Sequence, residues 1–149
     1  MPRKYFVEVN DEDSYSENKE ILNENKDNLD TKKREAFSAL ARFFEHTLKY
    51  KHQPSNQESS WVESISNAMI ELEDKTSNTN VRNHVIGNFK KAYNEGMKLM
   101  NGKTHLGMVS ETEVKTHFDT LDKVLNRPYV KKWLQENHNP AKRDFLENW

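Results

Sequence analysis

A chain of 149 residues, 34% hydrophobic and 32% charged with a net charge of −1, has the common size of one domain and is long enough to close an apolar core without disulfides or metals. It contains no cysteine, which excludes disulfide frameworks, thiolate zinc sites, iron–sulfur clusters and cysteine nucleophiles. Its first ten residues lack a signal-peptide apolar run and no later segment approaches the length of a membrane span, so the sequence predicts a soluble, cytoplasmic protein.

Charge is unevenly placed. Residues 1–30 carry nine Asp/Glu against four Lys/Arg, whereas 31–149 carry nineteen Lys/Arg against fifteen Asp/Glu. This predicts an acidic N-terminal arm, 1–30, before a helical domain, 31–149. Within the arm, Tyr5-Phe6-Val7-Glu8-Val9 is the one strand-like run, and a lone strand has nothing in the chain to pair with. Pairing with a partner's sheet edge is one reading, and an extended terminus lying on the helices is the simpler one. From Asn10 to Asp30 little is apolar beyond Tyr15, Ile21, Leu22 and Leu29, which fits a mobile arm or a loosely docked helix, with an arm carrying a short helix favoured.

After Asp30, read as an N-cap, Phe37, Leu40, Phe43, Phe44, Thr47 and Leu48 recur at helical spacing and predict a helix over about 31–51. The stretch Gln53–Ser59 breaks it around Pro54. Ser60 and Glu63 form a capping-box pattern that opens a second helix with the face Trp61, Ile65, Ala68, Met69 and Leu72. A polar connector, 76–80, leads to a long third helix bearing Val81, Val85, Phe89, Ala92, Tyr93, Met97 and Met100, closed by Asn101-Gly102. Gly96 falls inside that apolar arc and predicts close approach of a neighbouring backbone.

Ser110 and Glu113 are a second capping-box pattern, with Val109 and Val114 as a hydrophobic staple, before a fourth helix carrying Val114, His117, Phe118, Leu121, Val124 and Leu125. Pro128 either starts a fresh turn or kinks the chain, and Tyr129, Val130, Trp133 and Leu134 give a short fifth helix. Asn139-Pro140 reads as an N-cap and first-turn proline for a last short helix reaching Trp149. The predicted fold is all-α, an irregular bundle of about four longer and two shorter helices behind an acidic, partly disordered arm.

Chemistry-bearing patterns are sparse. Glu113 and His117 at i, i+4 share a helix face, but the other histidines have no ligand spacing, so neither a metal nor a cofactor is expected. Glu71, Glu73 and Asp74 lie near a helix end where Glu71 can pair with Lys75, which reads as a solvated face rather than a catalytic pair. The four glycines stand singly and form neither a phosphate-binding loop nor a nucleophile elbow. Enzymatic activity is not expected.

The strongest remaining signal is electrostatic. Lys123, Arg127, Lys131, Lys132, Lys142 and Arg143 crowd the C-terminal third beside Tyr129, Trp133 and His138, as contacts to a phosphate backbone would require. A helical wheel nevertheless turns Tyr129 and Trp133 inward with Val130 and Leu134. Lys91 and Lys98 add a weaker basic stripe with His84. In the arm, Asp11, Glu12, Asp13 and Glu17 are candidate partner contacts, although a solubilising tail is the simpler account.

Two functions follow as expectations. The first is a non-enzymatic helical protein-binding module, an adaptor, inhibitor or subunit of a larger complex, with self-association as a mild expectation. Fifteen aromatic residues in so polar a chain favour sharing apolar surface with a partner. The alternative is a helical nucleic-acid-binding protein that contacts phosphates through its basic C-terminal region. The polar, Asn-rich composition suits an accessory protein of a phage or mobile element.

Overall fold

The computed structural model describes residues 12–104 and 112–149, with side chains described for 28–102 and 112–149. Among these residues there are seven α-helices and no strand: α1 (Glu12–His52), α2 (Ser59–Lys75), α3 (Thr79–Gly87), α4 (Phe89–Thr104), α5 (Glu113–His117), α6 (Leu121–Val124) and α7 (Arg127–Glu136). A single 3₁₀ turn, Pro54–Asn56, follows α1. The chain is an all-α helical bundle, finer in its subdivision than the periodicity predicts. The candidate strand Tyr5–Val9 lies outside the described residues, as do Val109 and Ser110.

The chain divides into two compact units, Met1–Arg34 and Glu35–Trp149. In the first, the helix starts at Glu12 and no cap interrupts it at Asp30. Residues 12–52 contain neither glycine nor proline, so nothing in the local chemistry stops a helix there. Arg34 donates to Thr31 Oγ1 at 3.3 Å, one turn apart.

The second unit holds the core. Ala36, Ala39, Leu40, Phe43, Phe44 and Leu48 of α1 are fully buried, and they meet Val62, Ile65 and Leu72 of α2, Val81 and Val85 of α3, and Val130, Trp133 and Leu134 of α7 in a common apolar interior. Phe43 packs edge-on against Phe118 at 5.1 Å, and Phe44 edge-on against Tyr93 at 5.1 Å, geometries that suit the aromatic quadrupole. Thr47, also buried, returns its hydroxyl to the Phe43 carbonyl at 3.0 Å and so carries no unsatisfied donor into the core.

Several predicted boundaries move, each for a local reason. The Ser60–Glu63 capping box does not form: Glu58 is the N-cap of α2 without a side-chain cap, and Ser60 Oγ donates to Glu58 Oε1. The long third helix is two, because Gly87 lowers helix propensity and Asn88 ends α3 by donating its side-chain amide to the His84 carbonyl at 2.8 Å. Gly102 does not close α4, which continues to Thr104. The fourth helix also divides. Thr112 stands at the N-cap position of α5 without a side-chain cap, and Thr120 caps α6 by accepting from the Lys123 backbone N–H.

Asn126 caps α7 through the Tyr129 N–H, with Pro128 in the first turn as predicted. No helix follows Asn139-Pro140; Asn139 Oδ1 accepts from Ala141 N–H and Asp144 Oδ1 from Leu146 N–H, closing turns instead.

This C-terminal segment is fastened down by a residue that reads as a loop residue in sequence. Gln57 is 1% exposed; its Nε2 donates to the Tyr50 carbonyl at 2.7 Å and the Asn137 carbonyl at 2.9 Å, while its Oε1 accepts from Asn139 N–H at 2.9 Å. One amide thus ties the end of α1 to a segment about eighty residues later. Tyr50 Oη is hydrogen-bonded to His138 Nδ1 at 2.5 Å, and the opposite ring nitrogen faces the Lys142 carbonyl at 3.4 Å. Trp149 completes the clasp, donating its indole N–H to the Val62 carbonyl at 3.1 Å.

Candidate functional site

The break between α3 and α4 opens an apolar hollow in the second unit. Gly87 has no atom within 4 Å of where a Cβ would stand, and Ile86 beside it is 51% exposed. A cavity of about 350 Å³ lies there, floored by Phe44, Phe89, Tyr93 and Phe118 and edged by Ile86, Lys90, Lys115 and Asp119. A second cavity of about 290 Å³ shares Ile86, Phe89 and Asp119 with it and extends to Arg82, Thr120, Leu121 and Asp122. Together they form one groove along α3 and the first turn of α4, facing α5 and the turn before α6. Cavities of this size and apolar lining are within the range that receives ligand groups or side chains.

Its aromatic floor is packed edge to face. Phe44 meets Phe89 edge-on at 5.6 Å, and Phe118 meets Phe43 in the same way. Charge at the rim is partly neutralised within the chain. Lys123 Nζ lies 2.9 Å from Asp119, and this hydrogen bond holds the Asp119 carboxyl below the usual range and raises the Lys123 ammonium. Arg82 similarly holds Asp122 at 2.7 Å. Lys90 is exposed, and Lys115 stands 5.7 Å from the centre of the Tyr93 ring.

The sequence-predicted cations have diverse surroundings. Arg127 is internally engaged, donating to the Trp149 carbonyl and Ser66 Oγ, both at 3.0 Å, with its guanidinium 4.1 Å over the Trp149 ring. Lys123 is the partner of Asp119 already described. Lys132 and Arg143 are exposed, the latter 5.9 Å from the Phe145 ring, whereas Lys131 and Lys142 are half-buried. Lys91 and Lys98 are exposed on α4. Trp133 is 2% exposed, and Tyr129 donates its hydroxyl to the His117 carbonyl at 2.8 Å. The indole of Trp133 therefore has no face free for a base.

Of the acidic candidates, Glu12, Asp13 and Glu17 fall on α1, and Asp11 lies outside the described residues. The expected Glu71–Lys75 pair is replaced by two longer-range ones, Arg42 with Glu71 at 2.6 Å and Lys75 with Glu35 at 3.0 Å. Glu113 pairs with Lys51, and His117 stacks on Tyr129 at 4.6 Å with an interplanar angle of 23°. Burial pushes the His117 imidazole below its ordinary value; Lys123 adds to the shift, and the Glu136 and Asp119 carboxylates oppose it.

Sequence reasoning missed the groove. Ile86 lies one residue outside the third helix's apolar arc and carries no signal of its own, and Gly87 was read only as one of four single glycines.

Fold and site define an all-α helical domain with an exposed apolar groove and a C-terminal segment clasped to its core. Residues 16–130 match the family described as Domain of unknown function DUF29, and the chain belongs to that family. The match includes every residue lining the groove and stops before most of the clasped C-terminal segment. No curated protein and no solved structure matches the chain. Among the described residues, no helix is long and apolar enough to cross a membrane.

Proposed function

We propose that this protein is a non-enzymatic, cytoplasmic protein-binding module, an adaptor, inhibitor or subunit of a larger complex, and that the groove along α3 and α4 is its docking surface. The observation that carries this reading is Ile86, a large aliphatic side chain half exposed between two cavities with an aromatic floor. Exposed apolar surface rimmed by charge is characteristic of interaction sites, and a concave one supplies the pocket that a buried anchor needs. The experiment is quantitative affinity isolation of the full chain and of Ile86→Asp from the same cells. The wild type retains one stoichiometric partner, and the variant, with an unchanged circular dichroism spectrum, loses it. Equal recovery by both chains overturns the assignment of the groove.

A second reading, nucleic-acid binding through the C-terminal third, draws on Lys131, Lys132, Lys142 and Arg143, none of which is paired with a carboxylate among the described residues. Binding of a mixed oligonucleotide that falls steeply with salt and vanishes when these four are replaced by alanine favours it. Absence of binding at low salt removes it.

A further inference from the structure

We propose that the groove receives an acidic peptide segment of a partner protein, with one aliphatic or aromatic side chain entering the larger cavity and neighbouring carboxylates meeting Lys90 and Lys115. The inference rests on the groove being a protein-docking surface and names the chemistry of what docks there.

The rim charges do not cancel. Asp119 is already held by Lys123 at 2.9 Å, and Asp122 by Arg82 at 2.7 Å, so the carboxylates along the groove and their cations form closed pairs. Lys90 and Lys115 line the larger cavity with no carboxylate partner among the described residues. The contact of Lys115 with the Tyr93 ring, 5.7 Å to its centre, leaves the ammonium without a counter-charge. Two cations without a carboxylate partner among the described residues thus edge an aromatic floor, one of them over the Tyr93 ring. A ligand that satisfies both features presents carboxylates close to an apolar anchor.

A polyanion fits this surface less well. A phosphate backbone is a continuous line of charge, and along the groove it would meet Arg82 and Lys123 already engaged by Asp122 and Asp119, leaving only Lys90 and Lys115 to answer it. Its bases would need flat aromatic faces, whereas Phe44 and Phe118 are buried side chains at the bottom of a hollow. A volume of about 350 Å³ instead admits one large side chain with its backbone outside.

The test pans a random displayed-peptide library on the full-length protein, then measures a selected peptide by fluorescence anisotropy against the wild type, Ile86→Ser and the double variant Lys90→Glu/Lys115→Glu. The expected result is enrichment of peptides with Glu or Asp within a few residues of Leu, Ile, Phe or Trp. Binding then weakens about tenfold or more in the double charge reversal, as two rim attractions become repulsions. It also weakens between about 0.05 and about 0.5 M salt, since rim ion pairs are screened. If the double variant does not fold, the salt dependence of the wild type decides.

Enrichment of basic or neutral peptides, no enrichment, or competition by a mixed oligonucleotide at this site would overturn the proposal. Failure here is distinguishable from failure of the docking reading. A cellular partner lost from Ile86→Asp but kept by the double charge reversal refutes the acidic chemistry and leaves the groove in place; one lost from neither refutes both.

Discussion

Gly96 of α4 lies so close to Phe44 of α1 that a Cβ placed on it would stand 2.7 Å from the Phe44 Cβ and 2.7 Å from the Ala41 carbonyl oxygen. The two helices touch backbone to backbone there, and the same Phe44 floors the groove. Replacing Gly96 with alanine gains the roughly 1 kcal/mol of helix propensity that glycine forgoes. It also forces two backbones apart, an overpacking that costs about 1–3 kcal/mol or more. The expected outcome for Gly96→Ala is a net loss of about 1–2 kcal/mol in urea denaturation at unchanged slope. Gly87→Ala, at a position with nothing within 4 Å, is neutral or stabilising by up to about 1 kcal/mol and so controls for propensity.

Gln57 gives the sharpest polar test. Truncation to alanine leaves the Tyr50 and Asn137 carbonyls and the Asn139 N–H without their partner. Each buried group left unsatisfied costs about 1–3 kcal/mol, so Gln57→Ala is expected to lose about 2–4 kcal/mol, allowing for water reaching some of them. Gln57→Glu is worse, because a carboxylate oxygen then faces two carbonyls. Amide hydrogen exchange localises the effect: protection falls first at Asn139, far from the mutation in sequence and adjacent in space.

Tyr50 makes an alkaline prediction. Burial, assisted by the negative charge of Asp144, pushes its phenol up to about 12. Because the folded value exceeds the unfolded value near 10, the unfolded chain releases this proton first. Its contribution to stability is fully present below pH 10 and is lost as pH rises toward 12. An ultraviolet phenolate titration should show one of the five tyrosines ionising about two units later than a free phenol. Tyr50→Phe should remove that component and, by losing the bond to His138, cost about 1 kcal/mol at neutral pH.

His117 makes the acid counterpart. Its folded value lies below the ordinary 6.5, chiefly through burial, so the unfolded chain takes up this proton first. The corresponding stability is present above pH 6.5 and declines as pH falls from there through the lowered folded value. Melting temperature followed from neutral into acid pH should fall more steeply for the wild type than for His117→Gln. Parallel curves would remove His117 from the acid response.

Hydrophobic periodicity made the interior legible. Leu40, Phe43, Phe44, Leu48, Ile65, Leu72, Val81, Val85 and Val130 are buried where three- and four-residue spacing puts them, because that spacing is imposed by the helix itself. Gly96 was legible for a related reason: glycine in an apolar arc has little use besides close approach. Helix interruptions were not legible. Asn88 ends α3 with its backbone N–H and its side-chain amide both donating to the His84 carbonyl, and Thr120 caps α6 between residues whose pattern runs on without a break. The continuation of α1 toward Glu12 is not legible because so few apolar residues there mark a buried face, although Glu and Lys are good helix formers.

Nor could Gln57 be read as a core residue, since two of its three partners, Asn137 and Asn139, lie eighty and more positions away. The groove was hidden for the same reason. Its walls come from α1, α3, α4 and α5, and only their meeting leaves Ile86 uncovered.

The most direct test of the groove as a docking surface is site-specific photo-crosslinking in living cells, with a benzophenone amino acid at position 86 and, as control, at the exposed position Glu63 on α2. A discrete adduct with one partner protein from position 86 and none from position 63 is the predicted result. No adduct from 86, or the same adducts from both positions, would contradict it.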